Sequence, residues 1–385
     1  MNKTRTRWLL VAALSLLLAV AVTACGSSSS SSSGGETGGG ETTSAGSDIK
    51  AEAAALAVKA ETPPTTVPEA LPLKNTNIPK GKTVAFLGCG AEQCEEYFPP
   101  IQEGAEALGW TAKMYQGSVE PNKQVKFLEE IVKSEPDLFI ACCIAPSLAR
   151  KYFDEMKEKG TISFMCCTAE EGTEGITKLV SIPSDKLKTG KGLADFQLSE
   201  QGEELNVLYV NTEDFEVSKE YFEGYEAEVK RLCPECPVDQ IQVGVEEIGK
   251  PSLSTKVVSY LRSHPDVNTV ATLFGPLMIG VPAAMSAAGI TDVNIGATAS
   301  GPEALEAVKE GKENWTAVQI FGTEFGLWGL NVAVREFTGE PIGDETLTPE
   351  VLITPNNAAE LLPNPGNNPV IPDALQQYEE VWGLK

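Results

Sequence analysis

Thr83-Val84-Ala85-Phe86-Leu87-Gly88 is a short apolar run closed by glycine, the pattern of a strand buried on both faces. The segment after it, Tyr97 to Gly109, spaces Ile101, Ala105 and Leu108 by four and three residues, which predicts a helix with one apolar face. The alternation continues outward from this pair. Residues 111–116, 137–142 and 161–166 read as strands, and 122–134 and 147–159 as helices. Beyond residue 183 the pattern restarts. Strands are expected over 205–211, 240–246, 267–274, 293–297 and 316–321. Helices are expected over 216–232, 253–263, 276–288, 303–309 and 324–337. Regular alternation of this kind predicts parallel sheets with helices on both faces.

The alternating part spans about 305 residues, roughly 80–385, more than one hydrophobic core usually serves. The fold class expected is therefore α/β, with two doubly wound parallel-sheet lobes joined by a hinge. Lobe 1 is assigned to 80–183 and completed by about 320–350; lobe 2 to 184–319 and completed by about 351–385.

Upstream, Lys3, Arg5 and Arg7 precede an apolar stretch from Trp8 to Val22, and Thr23-Ala24-Cys25-Gly26 follows. A basic start, an apolar run of this length and a small residue before the cut mark a secretory signal over 1–24. The run is shorter than the roughly 20 residues a spanning helix needs. Its end resembles the bacterial lipobox, which makes Cys25 the expected lipidated N-terminus of the mature chain. Residues 26–49 are mostly Ser, Gly, Thr and Glu, and Pro63, Pro64, Pro68, Pro72 and Pro79 follow an Ala-rich stretch at 50–60 that can form a short helix. Such a composition reads as a disordered tether over 25–79, with the folded part held at the extracellular face of a membrane or in a periplasm. Without the three basic residues before Cys25, 27 Lys and Arg stand against 54 Asp and Glu, a net charge of −27. Nucleic acid is excluded as a partner, because phosphate binding needs a basic surface.

The order and spacing of these elements resemble the type I periplasmic-binding-protein family, in the ribose- and galactose-binding branch of the ABC-transporter solute receptors. The resemblance is carried by Tyr97-Phe98 with Gln102-Glu103-Gly104-Ala105, Ser184-Asp185, Phe222-Glu223-Gly224-Tyr225, residues 283–289 and 304–311, and Thr316-Ala317-Val318-Gln319. It implies a receptor that captures a small molecule between its lobes, delivers it to a membrane permease and acts as a monomer. A ligand-sensing ectodomain that presents bound solute to a signalling receptor is the alternative.

In open parallel sheets ligands sit beyond the carboxyl ends of the strands, so the candidate ligand-binding residues are Tyr97, Phe98, Cys143, Cys167, Thr168, Lys219, Phe274, Thr298 and Gln319. Sugar receptors of this branch usually have Asp-Arg where Cys166-Cys167 stand, Asn-Asp at Phe274-Gly275, Asp at Thr298 and Arg at Lys219. Charged and amide groups of that kind grip vicinal hydroxyls through paired hydrogen bonds. Their replacement points to a ligand less polar than a hexose. The competing reading is that other positions supply the sugar contacts.

Eight cysteines follow Cys25, and in an oxidising compartment an even number reads as disulfides. Cys233-Pro234-Glu235-Cys236 follows a helix, where a local structural bridge is expected rather than a redox site, and Cys89 and Cys94 fit the same role. Cys142-Cys143 and Cys166-Cys167 end strands expected to be neighbours, close enough for a cross-strand bridge such as Cys142–Cys166, with strained vicinal bridges as the alternative. A zinc or iron–sulfur cluster is the competing reading. It lacks paired Cys knuckles, and the one histidine, His264, lies far along the chain. No metal or cofactor is expected. Nor is an enzyme: the chain carries no Gly-x-Gly-x-x-Gly fingerprint, Walker loop or Gly-x-Ser-x-Gly elbow.

Overall fold

The structure, a computed structural model, describes residues 42–385 except 91, 119, 143, 145, 169–174, 182–189, 216, 322–323, 345–348 and 363–369. The signal and Cys25 lie outside the described residues. Lobe 1 contains β1 (Thr83–Leu87), α2 (Glu92–Glu95), α3 (Phe98–Leu108), β2 (Thr111–Tyr115), α4 (Pro121–Ser134), β3 (Leu138–Cys142), α5 (Pro146–Glu158), β4 (Ile162–Thr168) and β5 (Lys178–Ser181). Lobe 2 contains α6 (Lys191–Gln201), β6 (Val207–Asn211), α7 (Ser218–Leu232), β7 (Val238–Gln242), α8 (Pro251–Ser263), β8 (Thr269–Thr272), α9 (Val281–Ala287), β9 (Asn294–Thr298), α10 (Pro302–Glu310) and β10 (Trp315–Phe321). The helix α1 (Thr42–Glu61) precedes both, and α11 (Phe325–Thr338), β11 (Glu350–Ile353), α12 (Ala358–Leu361) and α13 (Ala374–Val381) follow.

Lobe 1 is a five-stranded sheet in the order β2-β1-β3-β4-β5, and lobe 2 a six-stranded sheet in the order β11-β10-β9-β8-β6-β7. Every described pairing is parallel except β10 with β11. Both sheets are doubly wound, as expected. In lobe 1 strand alternation sorts the core into two layers. Phe86, Ile140 and Phe164 face α3 and α11, whereas Leu87, Phe139 and Met165 face α4 and α5. Gly326 lets α11 lie close to α3, because a Cβ there would stand 2.3 Å from the Ile101 side chain.

Three expectations are corrected. Residues 42–79 are not a tether. Ala53 and Ala57 of α1 are buried in the core of lobe 2, while Val67, Leu73 and Ile78 are buried in that of lobe 1. Small residues at 53 and 57 let α1 lie flush on α6, which composition alone does not show. The tail does not complete lobe 2 throughout: β11 and α12 do, but Ile371, Tyr378 and Trp382 pack with α11 in lobe 1. The helix expected over 276–288 is broken, with a 3₁₀ turn over Gly275–Met278 before α9. The break falls at Gly280, whose φ of 78° no continuing helix accepts.

Candidate functional site

The chain leaves lobe 1 from the end of β5 and leaves lobe 2 from the end of β10. Both sheets therefore present their carboxyl edges on the side of the crossings, where such sheets take ligands.

On the lobe 1 edge, Cys89 and Cys94 form a disulfide with Cα atoms 5.7 Å apart, closing the loop between β1 and α2. The Gly88 carbonyl accepts a bond of 3.0 Å from Gln124 Nε2, and the Ser118 amide donates 2.7 Å to Gln124 Oε1, which joins the β1 and β2 loops. Tyr97 is 6% exposed. Its ring meets Phe325 edge-on at 4.5 Å, so it contributes to the core of lobe 1 and is not an open wall of the cleft. Phe98 is half-buried and stacks on Phe86 with centroids 6.1 Å apart. The β3–β4 register sets Cys142 opposite Cys166. Cys142 is buried. Cys143 and the side chains of Cys166, Cys167 and Thr168 lie outside the described residues.

On the lobe 2 edge, Phe274 follows β8; like Tyr97 it is only 6% exposed, and its ring meets the partly buried Phe215 edge-on at 5.0 Å. Phe215, from the β6–α7 loop, was not among the sequence candidates. Its signal is only an aromatic shortly after a strand, which many core residues share. The loop that carries it is pinned by Asp214, whose carboxylate accepts bonds from Thr212 Oγ1 (3.1 Å) and from the Val245 amide (2.8 Å). Thr298 is buried and its hydroxyl donates to the Leu273 carbonyl, so this side chain already holds β9 to the end of β8. Ala299 follows with φ at 44°, a left-handed conformation that costs a non-glycine residue about 1–2 kcal/mol. Gly275 is required nearby, because a Cβ there would stand 2.0 Å from Ser300 Oγ. Asn211 Oδ1 and Ser218 Oγ are buried with no hydrogen-bond partner among the described residues. They are polar atoms at the end of β6 and the start of α7. Lys219 does not join them: it is exposed and pairs with Glu223 at 3.6 Å. Gln319 stands in β10 opposite Thr298 and Leu352, and its side chain lies outside the described residues.

At the crossing itself, Glu324 precedes α11 and is buried. One carboxylate oxygen accepts the Ile371 amide. Burial pushes its pKa up to about 7, against the pull of the backbone amides of Ile371 and Val370. It ties the crossing after β10 to the start of the C-terminal segment.

Other features lie elsewhere. Cys233 and Cys236 are disulfide-bonded beyond the C-terminus of α7, where Lys230 Nζ donates to the carbonyls of Pro234 (3.2 Å) and Cys236 (2.7 Å). A surface cavity of about 560 Å³ beside α9 includes Met285, Ile290 and Asn314 in its lining. It lies at the amino ends of β9 and β10, away from the carboxyl edge. His264 stacks on Tyr260 at 4.0 Å. Among the described residues no three His, Cys, Asp or Glu are grouped to hold a metal, and no helix is long and apolar enough to cross a membrane.

The fold is shared with solved proteins. A 5-methylthioribose transporter solute-binding protein from Thermotoga lettingae, in complex with 5-methylthioribose, is 18% identical with a TM-score of 0.64, covering 82% of this chain and 100% of its own. An ABC-transporter solute-binding protein from Agrobacterium vitis, with bound allitol, is 16% identical with a TM-score of 0.62, covering 74% and 99%. A periplasmic ribose ABC transporter from Conexibacter woesei is 17% identical with a TM-score of 0.63, covering 76% and 97%. No curated protein matches the chain. The model of the periplasmic binding protein domain matches residues 95–341. That span runs from α3 through β10 to the end of α11 and takes in the crossing at Glu324, and with the two doubly wound lobes it makes this chain a member of the periplasmic-binding-protein family, with the type I fold.

Proposed function

We propose that this protein is an extracytoplasmic solute-binding lipoprotein, anchored through Cys25, that captures a sugar or a less polar sugar-like compound between its lobes and delivers it to the permease of an ABC importer. The observation that carries the ligand class is the Phe215–Phe274 pair on the lobe 2 edge. It lies on the same edge as the buried Asn211 Oδ1 and Ser218 Oγ, which have no partner among the described residues. The partly buried Phe215, backed by Phe274, supports a ligand with an apolar portion and a small number of hydrogen-bonding groups. Membership of the periplasmic-binding-protein family supports binding rather than catalysis. Its structural neighbours with bound allitol and 5-methylthioribose support a small polyol or a substituted pentose. Gln319 is proposed as a ligand contact from the strand that returns toward lobe 1.

The test is mass spectrometry of small molecules carried through purification, followed by thermal shift with ribose, glucose, allitol and 5-methylthioribose. A ligand at 100 times its Kd stabilises by about 2.7 kcal/mol. 5-Methylthioribose is expected to stabilise more than glucose, and Gln319→Ala to weaken the best binder by about 1–3 kcal/mol. Tight glucose binding that survives Phe274→Ala would refute the apolar part of the reading.

A further inference from the structure

The N-terminal segment grips both lobes. On lobe 2, Ala53 and Ala57 of α1 are buried, Lys50 Nζ donates 2.7 Å to the Glu200 carbonyl at the end of α6, and Glu52 pairs with Arg231 of α7 at 2.9 Å. The last residue of α1, Glu61, accepts bonds from Thr354 Oγ1 (2.9 Å) and Asn356 Nδ2 (3.3 Å) in the segment after β11. Only a few residues later the chain is bound to lobe 1. Gln377 of α13 donates 3.1 Å to the Thr65 carbonyl and accepts 3.2 Å from the Val67 amide, and Tyr378 donates 3.0 Å to the Pro68 carbonyl.

The lobe 1 anchor is buried and ionic. Glu69, with φ at 54°, sends its carboxylate between Lys178 of β5 (3.5 Å) and Arg335 of α11 (3.6 Å). The Arg335 guanidinium also donates to the carbonyls of Glu69 (2.8 Å) and Leu71 (2.7 Å). Downstream, the Leu73 amide donates 3.0 Å to the Val381 carbonyl, the Lys74 and Asn75 amides donate to the Glu340 carboxylate, and Trp110 Nε1 donates 2.7 Å to the Pro79 carbonyl. Removing one partner of a buried ion cluster is costly, because it strands a charge. This end of the segment is therefore fixed.

Between the two docks lies Thr62-Pro63-Pro64, too short to form a loop and stiffened by two consecutive prolines. A stiff link fixed at both ends transmits displacement, whereas a Gly/Ser linker absorbs it. We propose that residues 42–79 form a clasp, with α1 on lobe 2 and residues 65–79 on lobe 1 joined by the Pro63–Pro64 strut, which limits how far the two lobes separate. The clasp does not depend on the identity of the ligand.

The test uses the full mature chain without ligand. Spin labels on unnatural amino acids at Glu130 of α4 and Ser259 of α8, on the outer helices of the two lobes, report the interlobe distance by electron–electron resonance and leave the cysteines untouched. Eight Gly/Ser residues inserted between Pro63 and Pro64 keep both docks and add about 15 Å of slack. The expected result is a broader distribution shifted to longer distances. A distribution that superimposes on that of the unmodified chain would overturn the proposal. A second variant, Ala53→Glu with Ala57→Glu, undocks α1 from lobe 2 without touching the strut. Trypsin cleavage after Lys50 and Lys59 should quicken about tenfold or more, the effect of some 1.4 kcal/mol lost from the dock, and the distances should broaden in the same way. Release of α1 with no change in interlobe distance would overturn the clasp equally.

Discussion

The two carboxyl edges of this protein are built by different means. Lobe 1 closes its first loop covalently, through Cys89–Cys94, and backs it with an aromatic core of Tyr97, Phe98 and Phe325. Lobe 2 has its disulfide at the C-terminus of α7 and builds its edge from packing and hydrogen bonds: Phe215 on Phe274, Asp214 on the Val245 amide, Thr298 on the Leu273 carbonyl. A covalent closure limits the unfolded chain and fixes the loop between β1 and α2. A packed edge depends on contacts made only in the native state. In the function proposed above, lobe 2 supplies an aromatic contact to the ligand, while the described part of the lobe 1 edge holds its own first loop.

The largest expected effect attacks the packed edge. Phe274→Ala removes a buried ring and its contact with Phe215, and should cost about 3–5 kcal/mol of stability, read as a lower urea midpoint. Phe274→Leu should recover most of that stability but not the edge-on geometry. If ligand affinity recovers fully with Leu, lobe 2 recognises by volume alone and the contrast between the edges weakens.

The next effect tests what lies between the edges. The Glu324 carboxyl titrates near 7 in the folded protein against an ordinary value of 4.5, because it is buried. A carboxyl raised by folding favours the protonated form. At pH below about 4 it is protonated in both states and exerts no penalty. As the pH rises, the unfolded chain loses the proton first, and the folded state is penalised increasingly up to about pH 7. At 1.4 kcal/mol per pH unit the full penalty is at most about 3 kcal/mol. Glu324→Gln, which keeps an acceptor for the Ile371 amide, should flatten the fall in stability between about pH 4.5 and 7. An unchanged pH profile would show that the crossing is hydrated and does not bind the lobes through this carboxyl.

Much of the scaffold was legible in the sequence, and the reason is burial. Strands covered on both faces, such as Leu138–Cys142 and Val207–Asn211, read as unbroken apolar runs. Elements that fail this rule were missed. Helix α6 is buried from Gly192 to Leu198 on every side, so it shows no amphipathic stripe. The strands β5 and β11 have four residues each, and β11 sits on an edge. The helical character of 50–60 is legible, but the docking of α1 is not, because its docking face is made of Ala53 and Ala57, whose size matters more than their hydrophobicity. At the site, strand ends placed Phe274 and Thr298 on the lobe 2 edge. What their side chains do there depends on neighbours brought from distant segments: Phe215 for one, the Leu273 carbonyl for the other.

Opening the covalent edge comes third. Cys89→Ser with Cys94→Ser frees a loop of six residues, for which chain entropy alone gives about 2 kcal/mol. The loss should appear as faster amide exchange in the β1–α2 loop, with the lobe 2 edge unaffected and ligand affinity close to unchanged. A loss of affinity as large as that of Phe274→Ala would break the comparison, because lobe 1 would then recognise the ligand as strongly as lobe 2.

The smallest effect probes strain that only the lobe 2 edge carries among the strand ends described. Ala299 holds φ at 44° directly after β9, between Thr298, which is bound to the Leu273 carbonyl, and Ser300, which crowds Gly275. The backbone is forced into this conformation by its neighbours on both sides, since an alanine has no side-chain group to stabilise it there. Ala299→Gly relieves the clash of the Cβ but adds freedom to the unfolded chain. The two terms oppose each other, and the net gain should be about 1 kcal/mol or less, a rise of roughly 1–3 °C in Tm for a protein of this size. Strain of this kind persists at sites where the surrounding structure fixes a shape for use. The same change should therefore loosen the turn that positions Phe274 and Ser300 and weaken ligand binding even as it stabilises the fold. A variant that gains stability and keeps full affinity would mean that the left-handed turn is incidental to recognition, and that the aromatic pair alone defines the lobe 2 edge.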